Sequence, residues 1–418
     1  MDGIWAGFWS HLWILGAVAI GFVAIQSAWM ALDFVRRRAH ETAQRARHAR
    51  LLDEQVWAAR RVREAREGRS LSWSGWRKFE LVGKEFEDEK REVCSFYLKP
   101  HDRKPIPPFQ PGQYLTFRLE VPSQRRPVVR CYSLSAYDAR PEQYRVSIKR
   151  APPPAVASSF FLDRLEVGGI VDVRAPTGRF FLDVADPRPV VLLGSGVGVT
   201  PMLSMLEAVA ASPGPRETWL FFGVREPREL IQRERIEMIE REHPHVRVRF
   251  CYSRLGPDAL PDGPAHACGR ITVDLLKHTL PSSNYEYFIC GPTAMMDALV
   301  GDLSAWGVPR ESIQLESFGG APGGARKPAL AEGDGPEITF RRSGKSARWN
   351  AEATSILEFA LAHDVEIEGG CLCGDCGTCE RAIISGDVEY DHEPAWETEA
   401  GTCLTCCSRP KGPLELDA

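Results

Sequence analysis

The 418-residue sequence predicts a multidomain chain: an N-terminal transmembrane helix, an antiparallel β-barrel, an α/β domain on a parallel sheet, and a compact cysteine-rich α+β domain at the C-terminus. Three observations predict it. The twenty-one residues from Leu12 to Leu32 carry no charge. Short apolar runs broken by Pro and Gly give way, near Val190, to strands that alternate with helical stretches. Seven of the twelve cysteines crowd into the thirty-seven residues from Cys371 to Cys407. Length agrees, since one hydrophobic core rarely serves so long a chain, and 44% hydrophobic with 26% charged residues excludes wholesale disorder.

Residues 1–35 form the expected anchor. As a helix, LWILGAVAIGFVAIQSAWMAL is about 30 Å long, the thickness of a bilayer core. Trp5, Trp9, Trp13 and Trp29 stand near its two ends, where indoles favour the headgroup zones. Six arginines follow between Arg36 and Arg50 and none precedes the span, which orients a single-pass protein of the cell (inner) membrane with its N-terminus out and all downstream domains cytoplasmic. A signal peptide carries its positive charge before the apolar run, and a core helix keeps a polar face; this segment does neither. Residues 36–70 are rich in Ala, Arg and Glu and read as a basic helical linker, either lying on anionic lipid, docking a partner, or solvated as a spacer. These arginines are explained by topology, so no nucleic-acid partner is expected.

In 71–185 the runs FELVGKEF, SFYL, QYLTFRL, YRVSIKR and IVDVRA have the close spacing of a small antiparallel barrel. In 186–318, PVVLLGSGVGVTPMLSMLEAV, TWLFFGV, LIQRERIEMIE, VRVRFCY and YEYFICGPTAMMDALV alternate strand with helix, as a parallel sheet requires. Residues 319–335 hold six Gly and two Pro, the composition of a flexible linker. Residues 336–418 hold the cysteine cluster.

RCYSLS, KRAPPPAVASSFFLD, GGIVDVRAPTGRFFL, GSGVGVTPM, CGPTAMM and ESFG stand in the order and spacing of the ferredoxin-NADP reductase superfamily. Residues 76–318 resemble it, with the opening strands most similar to the FAD-binding reductase part of flavohaemoglobins. The resemblance implies that Arg130 pairs with flavin phosphate, as a guanidinium fork suits oxyanions. It also implies that Tyr132 stacks on the isoalloxazine and that Ser133 hydrogen-bonds near its N5. Ser158 becomes the second phosphate contact, although Ala155 stands where the family has glycine, which leaves FMN as the alternative to FAD.

Gly194, Gly196 and Gly198 close a strand and open a helix, so their amides can approach a pyrophosphate. By the resemblance, Thr200 with Pro201 and the turn Cys290-Gly291-Pro292 flank the nicotinamide, and Glu316 with Phe318 closes the flavin edge. Ser133, Cys290 and Glu316 are then the catalytic candidates. NADH or NADPH is the donor: Arg225 suits a 2′-phosphate and the adjacent Glu226 a free ribose diol.

The cysteines admit two selections. Cys373-x2-Cys376 with Cys403-x2-Cys406 is a zinc-ribbon spacing. Cys371-x4-Cys376-x2-Cys379 with one distant partner is the plant-type 2Fe-2S spacing. Gly374 and Gly377 favour the second, because a loop wrapped on a cluster needs positions without side chains. ITFRRSGKSARW, SILEFALAHD and VEIEGG around the cluster resemble a plant-type β-grasp ferredoxin domain. That resemblance makes Cys406 the fourth ligand, with Cys407 the close alternative, and leaves Cys373 and Cys403 as spare thiols.

The module order resembles oxygenase reductases with a C-terminal ferredoxin, and departs from them in its anchor. The expected function is that of a membrane-anchored NAD(P)H-dependent iron-sulfur flavoprotein reductase. It passes electrons through flavin and a 2Fe-2S cluster, near about -400 mV, to a protein acceptor, a membrane metal oxygenase, hydroxylase or desaturase. Two alternatives stand: reduction of quinone, ferric iron or dioxygen, and a redox-sensing membrane subunit acting through Cys373, Cys403 and Cys407.

Overall fold

The computed structural model describes residues 71–318 and 333–418, apart from 123, 125, 126, 154, 257–259, 261, 262, 264, 373, 375, 391–393, 395 and 397, together with Gln26, Trp29, Met30 and Arg38. The expected anchor and basic linker, and the stretch 319–332, lie otherwise outside these residues. Among the described residues no helix is long and apolar enough to cross a membrane.

The first domain is an antiparallel sheet of β1 (Arg77–Phe86), β2 (Val93–Pro100), β3 (Tyr114–Leu119), β4 (Val128–Ser133), β5 (Tyr144–Lys149) and β6 (Ile170–Val173), in the order β4-β3-β6-β1-β2-β5. Its edges meet just past β4, where Leu134 bridges Val146 and Ser135 N donates to Arg145 O at 2.9 Å. Phe79, Phe96, Phe117 and Phe161 fill the interior and are fully buried. This closure spares both edge strands from open pairing.

The second domain is wholly parallel: β7 (Val190–Ser195), β8 (Thr218–Val224), β9 (Val246–Tyr252), β10 (His266–Cys268), β11 (Glu286–Cys290) and β12 (Ile313–Glu316) run in the order β10-β9-β8-β7-β11-β12. Burial on both faces follows the two-residue period of a strand. Val190, Leu192, Leu220, Phe222, Val248 and Phe250 face α1 (Val199–Ala211) and α2 (Arg233–Glu242) in one core. Val191, Leu193, Phe221 and Ile289 share the other with α3 (Val273–Thr279) and α4 (Thr293–Ala305).

The third domain is a mixed sheet. In it β13 (Glu337–Phe340), β14 (Lys345–Arg348), β15 (Glu380–Ser385), β17 (Thr402–Leu404) and β19 (Leu414–Leu416) take the order β14-β13-β19-β15-β17, and β16 (Val388–Tyr390) pairs β18 (Ser408–Pro410) alongside. Only β13 and β19 are parallel within it. Between β14 and β15 lies α5 (Ile356–Ala362), whose Ser355 cap accepts from Glu358 N at 3.2 Å, and whose Ile356 and Phe359 pack on Ile338 and Phe340. The end of the predicted flexible linker is seated here, since Gly333 N donates to Arg348 O at 3.2 Å and Gly335 N to Trp349 O at 3.1 Å.

Candidate functional site

Between β7 and β11 the strand order reverses, so the loops at their carboxyl ends diverge and open a crevice. Glycine sets its width. A Cβ on Gly198 would lie 2.4 Å from the Cys290 carbonyl oxygen, and one on Gly194 2.8 Å from Val199 Cα. Gly196, at φ +55°, turns the chain from strand into helix with open space beside it. Gly291 is as tight, a Cβ there standing 2.8 Å from Met295 Cε. Pro292 O accepts from Met295 N at 2.9 Å and opens α4. A shallow, open cleft runs from this loop to the barrel, lined by Gly196, Val197 and Glu229 on one side and Asp88, Glu92 and Lys149 on the other.

The three catalytic candidates meet. Cys290 pairs with Glu316 in the register of β11 and β12, and Ser133 Oγ of the barrel donates to Glu316 Oε2 at 3.2 Å. Ser133 is 4% exposed. Cys290 is fully buried and its thiol is pushed well above the ordinary range by burial, so its backbone carbonyl, against Gly198, is what faces the crevice. Phe318 follows two residues later, exposed. On β4, Tyr132 packs edgewise on Phe161 with centroids 5.3 Å apart, and its hydroxyl is raised by burial. Arg130 donates to Val129 O at 2.7 Å. This set offers one cation, an aromatic ring and a buried hydroxyl along one strand, a donor set that fits flavin.

Two candidates are spent locally. Thr200 Oγ1 donates to Val197 O at 2.9 Å and closes the glycine loop, with Pro201 buried beside it. Ser158, on a short turn at Ala157–Ser159, accepts from Ala151 N at 3.1 Å. Arg225 is held by Glu229 at 2.7 Å and Glu226 by Arg228 at 2.5 Å, so each candidate for nucleotide choice already has a partner.

Sequence reading missed the polar seam between barrel and α/β domain. Glu87 accepts from Gln232 Nε2 at 2.8 Å, Gln232 Oε1 accepts from Arg145 at 3.1 Å, and Tyr137 N donates to Glu207 at 2.7 Å. No local pattern marks these residues, because their partners lie 70 to 145 positions away.

In the third domain the thiols of Cys371, Cys376, Cys379 and Cys406 are neighbours in pairs, Cys376 with Cys371, Cys371 with Cys406 and Cys406 with Cys379, and among the described residues no three of them are grouped tightly enough to grip a single metal ion. Cys371 N donates to Cys376 Sγ at 3.2 Å. Hydrogen bonding from Cys406 holds the Cys379 thiol below its ordinary range, while Cys406, donating to Cys371 and Cys379 in turn, is pushed up. The Cys407 thiol is a neighbour of Cys406, donates to Leu404 O at 3.8 Å, and lies against the cluster loop, where a Cβ on Gly374 would stand 2.8 Å from it. Glycine again makes room: a Cβ on Gly370 would stand 2.6 Å from Cys376 Sγ, and Gly374 and Gly377 take φ +81° and +67°. Four thiols with an amide on one sulfur fit a 2Fe-2S cluster. The zinc selection fits worse, since Cys403 lies in β17 with its side chain fully buried in the hydrophobic core of the domain. Cys373 lies outside the described residues.

Residues 79–182 match the oxidoreductase FAD-binding domain family, 192–300 the oxidoreductase NAD-binding domain and 338–411 the 2Fe-2S iron-sulfur cluster binding domain. The chain is 34% identical over 276 residues to a flavohemoprotein of Bordetella pertussis, covering 66% of this chain and 68% of that one. It is 34% identical over 250 residues to a flavohemoprotein of Oceanobacillus iheyensis, covering 59% of this chain and 60% of that relative. Among solved structures, phthalate dioxygenase reductase, titled a modular structure for electron transfer from pyridine nucleotides to 2Fe-2S, aligns with TM-score 0.51 and 26% identity over 82% of this chain and 98% of its own. The chain thus carries FAD-binding, NAD-binding and 2Fe-2S domains.

Proposed function

The chain belongs to the ferredoxin-NADP reductase superfamily of NAD(P)H-dependent oxidoreductases and carries a C-terminal 2Fe-2S ferredoxin domain, and we propose that it is the membrane-anchored reductase of a metal oxygenase, hydroxylase or desaturase. The observation that carries this reading is the joining of the Ser133–Glu316–Cys290 set and the four neighbouring thiols in one compact unit of the described residues. When bound, flavin accepts a hydride's two electrons together and releases them singly, which a one-electron cluster requires.

The residues supply the alignment. Gly194, Gly196 and Gly198 admit the dinucleotide to the crevice, Arg130 and Tyr132 hold flavin, and Ser133 with Glu316 fixes the barrel edge to the end of β12. Cys371, Cys376, Cys379 and Cys406 hold the cluster. Placement at the inner membrane, N-terminus out, rests on the uncharged run 12–32 and the arginines after it. The linker 319–335 is proposed to let the ferredoxin domain turn from flavin to acceptor. The sensing alternative loses ground, because a sensor thiol is exposed and of low pKa and Cys403 and Cys407 are buried.

Anaerobic titration with NADH and NADPH tests this, following flavin optically and the cluster by low-temperature electron paramagnetic resonance. Flavin bleaching with a reduced 2Fe-2S signal is expected. Zinc in place of iron would remove the reductase reading.

A further inference from the structure

Where the third domain meets the barrel, four side chains stack in alternation. The Arg118 guanidinium lies over the Trp76 ring at 5.0 Å, Arg174 over the same indole at 4.7 Å, and Arg174 again over Trp396 at 5.4 Å. Arg118 and Arg174 belong to the barrel, on β3 and just past β6, while Trp396 belongs to the ferredoxin domain. Arg174 Nη1 also donates to the Cys376 carbonyl, on the cluster loop itself. Its Nε is buried without a partner, so the group is committed to this seat.

Both ends are rigid. Arg174 N donates to Thr116 O at 2.9 Å, fixing the residue to β3. Trp396 is tied by its indole to Glu380 at 2.9 Å and by its backbone N to Gly374 O at 3.1 Å, and Gly377 has no room for a Cβ, which would meet the indole at 2.2 Å. Asp172 offsets the Arg118 charge by accepting from it at 2.7 Å. Held this way, the Cys376 backbone is pinned to Arg174, whose own N is bonded to Thr116 O, and the Thr116 hydroxyl lies 3.4 Å from the Cys131 thiol, so the cluster loop is seated beside β4 at Cys131. Cys131 stands on β4 between Arg130 and Tyr132, the residues assigned to flavin.

We propose that Arg174 is the positioning residue for electron passage: it seats the cluster loop so that Cys376 lies beside β4 at Cys131. This deepens the reductase reading and rests on it. For each NAD(P)H oxidised to NAD(P)+, two electrons cross this contact singly to the cluster and on to a one-electron acceptor, and one proton is released to solvent.

The test uses the full chain in detergent, comparing Arg174→Ala, Arg174→Lys and Trp396→Leu with the wild type. N-ethylmaleimide labelling of Cys131, followed by mass spectrometry, reads the seat without any cofactor, and Cys94, fully buried in the barrel core, reports the fold. With stacking and charge-assisted donation lost, Arg174→Ala is expected to speed Cys131 labelling about tenfold with Cys94 unlabelled. Cluster reduction followed by freeze-quench resonance then slows about tenfold or more, flavin bleaching stays within about twofold, and Arg174→Lys falls between. Unchanged Cys131 labelling in both Arg174→Ala and Trp396→Leu overturns the seat. Faster labelling with unchanged cluster reduction overturns its role in transfer, and loss of iron from Arg174→Ala makes it a structural residue of the loop instead. A wild type whose flavin does not bleach with NADH or NADPH defeats the underlying reading, independently of the labelling.

Discussion

The nucleotide crevice and the contact between barrel and cluster loop are built from different materials. The crevice is made of backbone: Gly194, Gly198 and Gly291 clear it, the Cys290 carbonyl walls it, and two helices begin at it. The contact is made of side chains, Trp76, Arg118, Arg174 and Trp396, drawn from four separate segments. A backbone site must spend glycines in a short stretch and so marks the sequence. A stacked site spends ordinary arginines and tryptophans, which leave no local mark.

The largest expected effect separates the two regions outright. Cys376→Ser removes one of the four neighbouring thiols and should abolish iron content and the 2Fe-2S resonance, while NAD(P)H still bleaches the flavin. Cys406→Ser should do the same and Cys407→Ser should keep its iron, since it is Cys406 that neighbours Cys371 and Cys379. Iron retained in Cys406→Ser and lost in Cys407→Ser would exchange their roles. Next in size, Gly198→Val forces a side chain against the Cys290 carbonyl, where backbone cannot yield. Flavin bleaching should slow about a hundredfold, equivalent to about 2.7 kcal/mol, with dithionite reduction of the cluster unaffected. Gly196→Ala sharpens the contrast, for it meets open space and faces only the cost of φ +55°, about 1 kcal/mol.

These cases show what the sequence could reveal. Parallel alternation, the glycine loop, the short barrel strands and the four thiols were legible because each is written in contiguous residues or fixed spacing. Gly374 and Gly377 were rightly singled out: both take a positive φ, and a Cβ would stand 2.8 Å from Cys407 Sγ at the first and 2.2 Å from the Trp396 ring at the second. Side-chain direction was not legible: Cys290 turns its thiol into the core, and Thr200 donates its hydroxyl to Val197 O. Spacing specifies which residues share a turn, whereas packing decides which way each one points. The Arg174 stack was illegible for a further reason, since Trp76 and Trp396 are 320 positions apart and only the folded chain makes them neighbours of one guanidinium.

A middle-sized effect tests the join between the regions. Glu316→Gln keeps the shape that accepts from Ser133 but removes the charge. Bleaching by NAD(P)H should slow about tenfold, about 1.4 kcal/mol, and Ser133→Ala should add little to it, because the two residues act as one unit. Rates that multiply in the double variant would show that they act apart.

The smallest effect concerns the charge that keeps the stack together. Burial opposes ionisation of Asp172, but hydrogen bonds from Arg118 at 2.7 Å and Lys78 at 3.2 Å prevail and hold its carboxyl below the ordinary 3.8. A depressed carboxylate contributes stability above its unfolded pKa and loses it as pH falls through the folded value. Asp172→Asn should therefore lower the free energy of unfolding by about 1 kcal/mol at pH 7, the scale of one charge-assisted bond beside screened partners. The gap from wild type should close as pH falls below 3.8. Paired thermal melts at pH 7 and pH 3 measure it. A gap that persists into acid would mean that Asp172 contributes shape to the barrel wall, and that Arg118 keeps its place in the stack without this counter-charge.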